Sequence, residues 1–174
     1  LSLINIKGSI VSMDALYCQK DISRQIIDAQ ADYVLALKQN HKILYEDVAL
    51  WLTTQAQQHP QHVVEEVNKD HGRIETRRYY LNTEIAWLPQ ASEWFGLTGL
   101  GMVESIRDIK GKQDVQRRFY LTSLTQLDDF KSTVRHHWAI ENQQHWLLDV
   151  AFSEDANRAY INNQRSNLAL FRRV

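Results

Sequence analysis

Residues 32–38 read DYVLALK, and this stretch decides the fold class. Its β-branched, aromatic and leucine side chains are typical of a strand in the core of a sheet. Residues 8–15, GSIVSMDA, come before it and predict another short buried strand, which ends in an acid. A helical pattern follows each of the two runs. This strand–helix–strand–helix order predicts a parallel or mixed sheet that is covered by helices.

The middle of the chain is predicted to be rich in β-structure. Two pairs of extended runs flank residues 68–72 and 110–113, where Asn, Asp, Gly and Lys favour hairpin turns. A helical pattern returns after the second hairpin. We therefore expect three parts: residues 1–60 and 124–174, which are rich in helix, and the β-rich residues 61–123, which are inserted between them.

Composition limits the class of protein. The 174 residues include one cysteine, Cys18, so no internal disulfide can form and a reducing compartment is expected. A net charge of −1 argues against a protein that coats nucleic acid by bulk charge. No apolar run approaches the roughly 18 residues of a membrane span, and no signal-peptide pattern is present. The chain starts at Leu1 and stops within an apolar helical pattern, so we expect it to be a fragment.

The run of residues 135–146, RHHWAIENQQHW, has an unusual density of histidine and tryptophan around one glutamate. On a helix His137, Glu141 and His145 share one face, because residues four apart are neighbours. Such a face suggests a metal or phosphate site. Two alternatives stay open: a structural glutamate bonded to a neighbouring histidine, and a zinc-dependent hydrolase. Zinc sites normally take ligands from more than one element, which this line of residues does not supply.

Two further places carry candidate functional residues. Asp14 follows a predicted strand, where ligands bind in open α/β sheets, although an aspartate at a strand end can equally cap a turn. After Gly72, the alternation of Arg73, Glu75 and Arg77 along a predicted strand places the three on one face. That face suits contact with DNA. It also suits a solvated hairpin with ion pairs between its strands.

Several short motifs, taken together, resemble those of bacterial insertion-sequence DDE transposases, in particular the H-repeat-associated group. The matching motifs are, in order, residues 13–15 (MDA), 18–20 (CQK), 32–38 (DYVLALK) with Asn40, 71–73 (HGR), Arg135, 137–138 (HW), 140–142 (IEN), 145–146 (HW), 148–150 (LDV) and 154–155 (ED). Their order over nearly the whole chain is far more specific than any single motif.

The resemblance implies an RNase H-like catalytic core, in which two aspartates and a glutamate hold two divalent metal ions, Mg²⁺ or Mn²⁺. Asp14 matches the second aspartate and Glu141 the glutamate, so both are expected to be catalytic and metal-binding. The implied fold class is α/β, with a partial RNase H-like core, a mixed sheet with helices, interrupted by a β-rich insertion. Residues 1–60 are then the first part of the core, 61–123 the insertion and 124–174 the C-terminal helices of the core.

The implied partner is double-stranded DNA, both the terminal repeats of the element and its target, and no membrane. A homodimer in the synaptic complex and a cytoplasmic, nucleoid-associated location in a bacterium are also expected. Trp87 or Trp94 is expected to stack on a flipped base, as in some relatives. The residues expected to contact DNA are Lys20, His71, Arg73, Arg77, Arg135, His137 and His145.

The chain departs from the family pattern in two ways. Leu148 stands where related transposases carry a lysine, so any such role passes to His145 or to another residue. The first aspartate of the triad has no counterpart in these 174 residues, so the chain alone is expected neither to nick nor to join DNA. The alternative function is a catalytically inactive remnant, which acts at most as a DNA-binding or interaction module.

Overall fold

The structure is a computed structural model and describes residues 4–59, 63–70, 73–109 and 112–140. The chain divides into two compact units, Leu1–Val134 and Arg135–Val174. All strands of the described part belong to the first unit. Within the described part, no helix is both long enough and apolar enough to cross a membrane.

The described elements alternate between strand and helix and then become a run of long strands. In chain order they are β1 (Ile10–Met13), α1 (Lys20–Asp28), β2 (Asp32–Leu37), α2 (Lys42–Gln58), β3 (Val63–Asp70), β4 (Arg73–Asn82), β5 (Gly99–Ile109), β6 (Lys112–Thr122) and α3 (Leu127–Ala139). Short 3-10 helices cover Ala15–Tyr17, Gln39–His41 and Pro89–Glu93.

The six strands form one mixed sheet in the order β1-β2-β6-β5-β4-β3. β1 and β2 run parallel, β6 pairs antiparallel with β2, and β3–β4 and β5–β6 form the two predicted hairpins. The predicted α/β class is therefore confirmed, and the arrangement is consistent with a partial RNase H-like core. The strands of the β-rich segment extend the sheet that β1 and β2 begin.

Helices cover both faces of this sheet. On one face α1 and α2 bury side chains such as Ile26 and Val48 against Leu35 of β2. On the other face Phe130 of α3 packs its ring on Tyr120, with ring centroids 5.5 Å apart. Phe130 also lies so close over Gly101 that any Cβ there would overlap its ring. The glycine thus lets α3 approach the sheet.

β1 is less buried than predicted. The sequence predicts a buried strand within residues 8–15, but Ile10 is 39% exposed and the other three residues of β1 are half-buried. The reason is position: among the described strands, β1 pairs only with β2. A strand that is paired on one side keeps an open edge, so its side chains are only partly covered.

Strands β3–β6 project well past the parallel pair. Leu37, the last residue of β2, pairs with Phe119, and β6 continues seven residues further to Lys112. At about 3.3 Å per residue this is roughly 23 Å. The antiparallel register carries the projection toward the side on which β1 and β2 end. We call the projecting residues 63–70, 73–79, 103–109 and 112–118 the arm.

Candidate active site

Asp14 lies directly after β1, at the edge of the sheet where the parallel strands β1 and β2 both end; we call this the carboxyl edge. Its backbone is extended, with φ −66° and ψ 164°, and it precedes the 3-10 helix Ala15–Tyr17. Asp14 is exposed, and its side chain makes no capping hydrogen bond to that helix. Asp14 therefore occupies a turn position, but its carboxylate does not cap the 3-10 helix that follows. Ligands of open α/β sheets bind at this edge.

The loop that follows β2 holds the turn that follows Asp14. Asn40 donates from Nδ2 to the carbonyl oxygen of Ala15 at 2.9 Å. His41 Nε2 lies 2.6 Å from the carbonyl oxygen of Cys18. Because a carbonyl oxygen only accepts, the Nε2 atom of His41 carries the proton in this bond. Two side chains thus fix the backbone of the turn from a neighbouring strand end.

A buried tryptophan supports His41 from the other side. The rings of His41 and Trp94 meet edge to face, with centroids 5.3 Å apart, and Trp94 is 2% exposed. Trp87, the other tryptophan considered for base stacking, is half-buried and packs on Trp51 with ring centroids 4.7 Å apart. Of the two rings, Trp87 is the more accessible.

The residues expected to contact DNA fall in several places. Lys20 is the first residue of α1, near the carboxyl edge, and forms an ion pair with Glu93. Arg77 lies on the arm in β4. Arg135 and His137 lie on α3 and belong to the second unit.

Other predicted residues cannot be placed. His71, Glu141 and His145 lie outside the described residues, and so does Leu148. For Arg73 the structure describes the backbone, as the first residue of β4. The pairing of Asp14 with Glu141 is therefore an expectation from the sequence.

Arg77 takes part in ion pairs on one face of the arm. Its NH2 group lies 3.0 Å from Glu75 Oε2, and Arg107 Nε lies 3.3 Å from Glu75 Oε1. The Arg77 side chain is 21% exposed. Glu75 and Arg77 share a face of β4, as the alternation predicts. The pair between Glu75 and Arg107 joins β4 to β5, the neighbouring strand of the other hairpin, so an ion pair does form between strands on this face.

The opposite face of the arm carries a row of alternating charges that sequence reasoning missed. Glu65, Arg78, Glu104 and Arg117 lie directly opposite one another on β3, β4, β5 and β6. Arg78 Nε donates to Glu65 at 2.7 Å and its NH1 to Glu104 at 3.3 Å, while Arg117 Nε donates to Glu104 at 2.7 Å. We call these four residues the charge row. The alternation of charge becomes visible only when the strand register is known.

The charge row has a buried centre. The Glu104 side chain is 12% exposed, whereas both arginines are about 40% exposed. Each carboxylate oxygen of Glu104 accepts from a different arginine. Hydrogen bonding to Glu65, and then to Glu104, raises the pKa of Arg78 above its usual value. The row therefore fixes the register of four strands in the arm.

The register also relates the arm to Asp14. Met13 pairs with Leu35, and the same row of paired residues continues across the sheet through Leu121 and Leu100 to Asn82 in β4. Arg77 lies five residues beyond Asn82, or about 17 Å along the strand. Four strand spacings, about 19 Å, separate β1 from β4. The arm thus projects beyond the carboxyl edge, at the same end of the sheet as Asp14.

Within the described ranges, no three His, Cys, Asp or Glu residues lie together as they would around a metal ion.

Comparison with known proteins identifies relatives along the whole chain. The sequence profile of the family described as "Transposase DDE domain" matches residues 1–173. A protein of Xanthobacter autotrophicus named "Uncharacterized protein in dhlA 3'region" is 52% identical over 125 residues, which are 72% of this chain and 42% of that protein. No solved structure gives a significant match.

Two relatives from Escherichia coli carry transposase names. "Putative transposase YncI" of strain O157:H7 is 33% identical over 171 residues, or 91% of this chain and 42% of that protein. "H repeat-associated putative transposase YhhI" of strain K12 is 32% identical over 163 residues, or 89% of this chain and 43% of that protein. The chain thus spans less than half the length of these curated relatives.

Proposed function

Because the chain belongs to the transposase DDE domain family, in the H repeat-associated group, we propose that it supplies two acids, Asp14 and Glu141, of an active site that cuts and joins DNA. The observation that carries the proposal is the exposed Asp14 carboxylate at the carboxyl edge. Asn40 and His41 hold the backbone of the turn that follows it, and its side chain is not used as a cap. An acid in this position is accessible to both a metal ion and a DNA strand.

The chemistry of the two acids fits divalent metal ions. Asp14 and Glu141 would hold them, since carboxylate oxygens are the ligands that Mg²⁺ and Mn²⁺ prefer. Two ions, in a complete site, stabilise charge on the attacking and leaving oxygens of a phosphodiester displacement. Leu148 carries no charge, so in our proposal His145 takes the role of the lysine found in related transposases.

The same proposal assigns DNA contacts to the basic residues around the acids. Phosphate contacts position a duplex without reading its sequence. Lys20 would serve beside Asp14, while the arm would follow the DNA away from the site. The remaining contacts are assigned to His71, Arg73, Arg77, Arg135, His137 and His145. A homodimer in the synaptic complex and a location at the bacterial nucleoid belong to the same proposal.

The first aspartate of the family triad has no match within these 174 residues. The proposal therefore expects the isolated chain to bind metal weakly and to leave DNA uncut. The inactive remnant, proposed as the alternative, would share that lack of cleavage, so cleavage alone does not distinguish the two. Metal binding by Asp14 and Glu141 does distinguish the two functions.

The test is a titration of the chain with Mn²⁺, in which electron paramagnetic resonance measures the Mn²⁺ that remains free. We expect weak binding that Asp14→Asn and Glu141→Gln each abolish. Asp128→Asn, which neutralises an acid in the first turn of α3, is the control and should bind Mn²⁺ normally. A plasmid-nicking assay with Mg²⁺ or Mn²⁺ accompanies it. Binding that survives both variants, or nicking that is lost on Asp14→Ala, would contradict the account.

A further inference from the structure

A cavity of about 360 Å³ opens beside the carboxyl edge. It lies where α1 and α2 begin and where the 3-10 helix Pro89–Glu93 meets Trp94. Both helices follow the two parallel strands, so the cavity lies on the same side of the sheet as Asp14. The lining residues that matter here are Lys20, His41, Lys42, Gln90, Glu93 and Trp94.

The cavity combines two lysines with two helix N-termini. Lys20 and Lys42 are the first residues of α1 and α2, and their side chains are 50% and 75% exposed. The N-cap residues, Gln19 and His41, make no side-chain capping bonds. The first N–H groups of a helix have no partner within it and carry partial positive charge. Both features favour an anion.

An unsatisfied donor on a residue that lines the cavity gives independent support. Trp94 is 2% exposed, and its indole Nε1 is buried without a hydrogen-bond partner among the described residues. Because an indole N–H can only donate, its missing partner must be an acceptor. Gln90 Oε1 is likewise buried without a partner. Rotation of that amide would instead present its NH₂ group, so it too could donate.

Glu93 is the negative group of the cavity, and it is paired with Lys20. Both side chains are about half-exposed, so the pair can open at little cost. In the absence of an anion Glu93 neutralises Lys20, while Lys42 Nζ lies 4.0 Å from Glu46 Oε1 on the next turn of α2. An incoming phosphate would replace Glu93 at Lys20.

We propose that this cavity binds a backbone phosphate of the DNA strand that reaches Asp14, through Lys20, Lys42 and the indole N–H of Trp94. The proposal rests on the proposed function, since a transposase brings a phosphodiester to this edge. Lys42 and Trp94 become DNA-binding residues that the family motifs do not include. Glu93 competes with the phosphate for Lys20 and weakens DNA binding until its ion pair with Lys20 opens.

The experiment measures affinity of the 174-residue chain for a short labelled duplex of arbitrary sequence over a range of chloride concentrations. Each lost phosphate contact should lower the slope of log K against log salt by about 0.9. Because both lysines hold the same phosphate, Lys20→Gln and Lys42→Gln should each lower the magnitude of the slope by part of this amount, and the double variant should lower it by the whole. Lys7→Gln, at the opposite end of β1, is the matched control and should leave the slope unchanged.

Two further variants separate a phosphate site from a structural ion pair. Glu93→Gln should tighten DNA binding, because Lys20 is released. Trp94→Phe keeps an aromatic ring and removes the N–H, so it should weaken DNA binding. Because it also removes part of a buried side chain, the affinity is measured under conditions in which the unfolding midpoint shows the variant to be folded. An unchanged affinity in both variants would overturn the proposal.

The outcomes also distinguish this proposal from the proposed function. If the wild-type chain binds DNA and the lysine variants keep its salt slope, the phosphate site is wrong while the family function stands. If the wild-type chain binds no DNA at all, both fail. A final experiment replaces chloride with inorganic phosphate at constant ionic strength. Phosphate should remove the difference in DNA affinity between Lys42→Gln and wild type, because it competes with the DNA backbone for the cavity. A difference that phosphate leaves intact would show that Lys42 does not act through an anion site and would overturn the proposal.

Discussion

Asn40 donates a hydrogen bond from Nδ2 to the carbonyl oxygen of Ala15, 2.9 Å away, and so joins the loop after β2 to the turn after Asp14. The bond spans 25 positions of sequence and connects the ends of two parallel strands. His41 adds a second bond, to the Cys18 carbonyl. Asp14 is thus positioned through the backbone that follows it.

Asn40→Ala should loosen this turn and with it the metal site. Loss of one hydrogen bond lowers the free energy of unfolding by about 1 kcal/mol. We expect Mn²⁺ binding to weaken by more than this stability loss explains, because the turn that follows Asp14 is no longer fixed by Asn40. Urea unfolding and Mn²⁺ titration together measure the two effects. Gln39→Ala, an exposed neighbour in the same 3-10 helix, is the control.

Normal Mn²⁺ binding by a destabilised Asn40→Ala variant would show that the bond is structural only. Asn40→Asp keeps the size of the side chain but loses the N–H donor, so it should behave like the alanine variant.

Glu104→Gln should destabilise the arm. The substitution leaves Arg78 and Arg117 without their shared carboxylate, and the new amide NH₂ group faces an arginine. Hydrogen bonds to charged groups contribute about 1.5–3 kcal/mol, and the half-exposed arginines bring the expected loss toward the lower end. Glu84→Gln, an exposed glutamate before the 3-10 helix, is the control. Equal unfolding midpoints for both variants would show that the charge row contributes nothing to stability.

Cys18 should make stability depend on pH under alkaline conditions. Burial raises the pKa of the Cys18 thiol from 9.0 to about 12. Below pH 9 the thiol is neutral in both states, so no dependence arises. Between pH 9 and 12 the unfolded chain loses this proton and the folded chain keeps it, so stability falls as pH rises. One such group contributes at most about 1.4 kcal/mol per pH unit.

Chemical denaturation at several pH values checks this, with Cys18→Ala as the reference that lacks the group. The fall in stability above pH 9 should be steeper for wild type than for Cys18→Ala. Identical slopes would be the contrary result. The same burial predicts that a thiol reagent labels Cys18 slowly in the native protein and quickly in urea, since the side chain is 0% exposed.

Much of the fold is readable from local patterns in the sequence. Residues 32–38 form a strand inside the sheet because they are apolar and rich in β-formers, and the helical pattern predicted after them is observed as α2, Lys42–Gln58. Both hairpins lie where the turn residues predict them. Local propensity and the periodicity of apolar residues suffice for these elements.

What the sequence hides depends on contacts between distant segments. The bond from Asn40 to Ala15 and the pairing of Glu104 with two arginines follow from tertiary register, which periodicity does not contain. The partial exposure of β1 follows from its place in the sheet. Asp14 could be selected because strand ends of α/β sheets bind ligands, but the cavity at Trp94 requires the packing of three segments.

The central claim is that Asp14 and Glu141 share one metal site, and Fe²⁺-directed cleavage of the chain tests it most directly. Fe²⁺ that replaces Mg²⁺ generates, with ascorbate and peroxide, radicals that cut the backbone beside the metal. Our account predicts cuts near residue 14 and near residue 141 together, suppression of both by excess Mg²⁺, and loss of both in Asp14→Asn. Cuts near residue 141 that persist in Asp14→Asn and vanish on replacing His137 and His145 would contradict it, and would favour a histidine-based site.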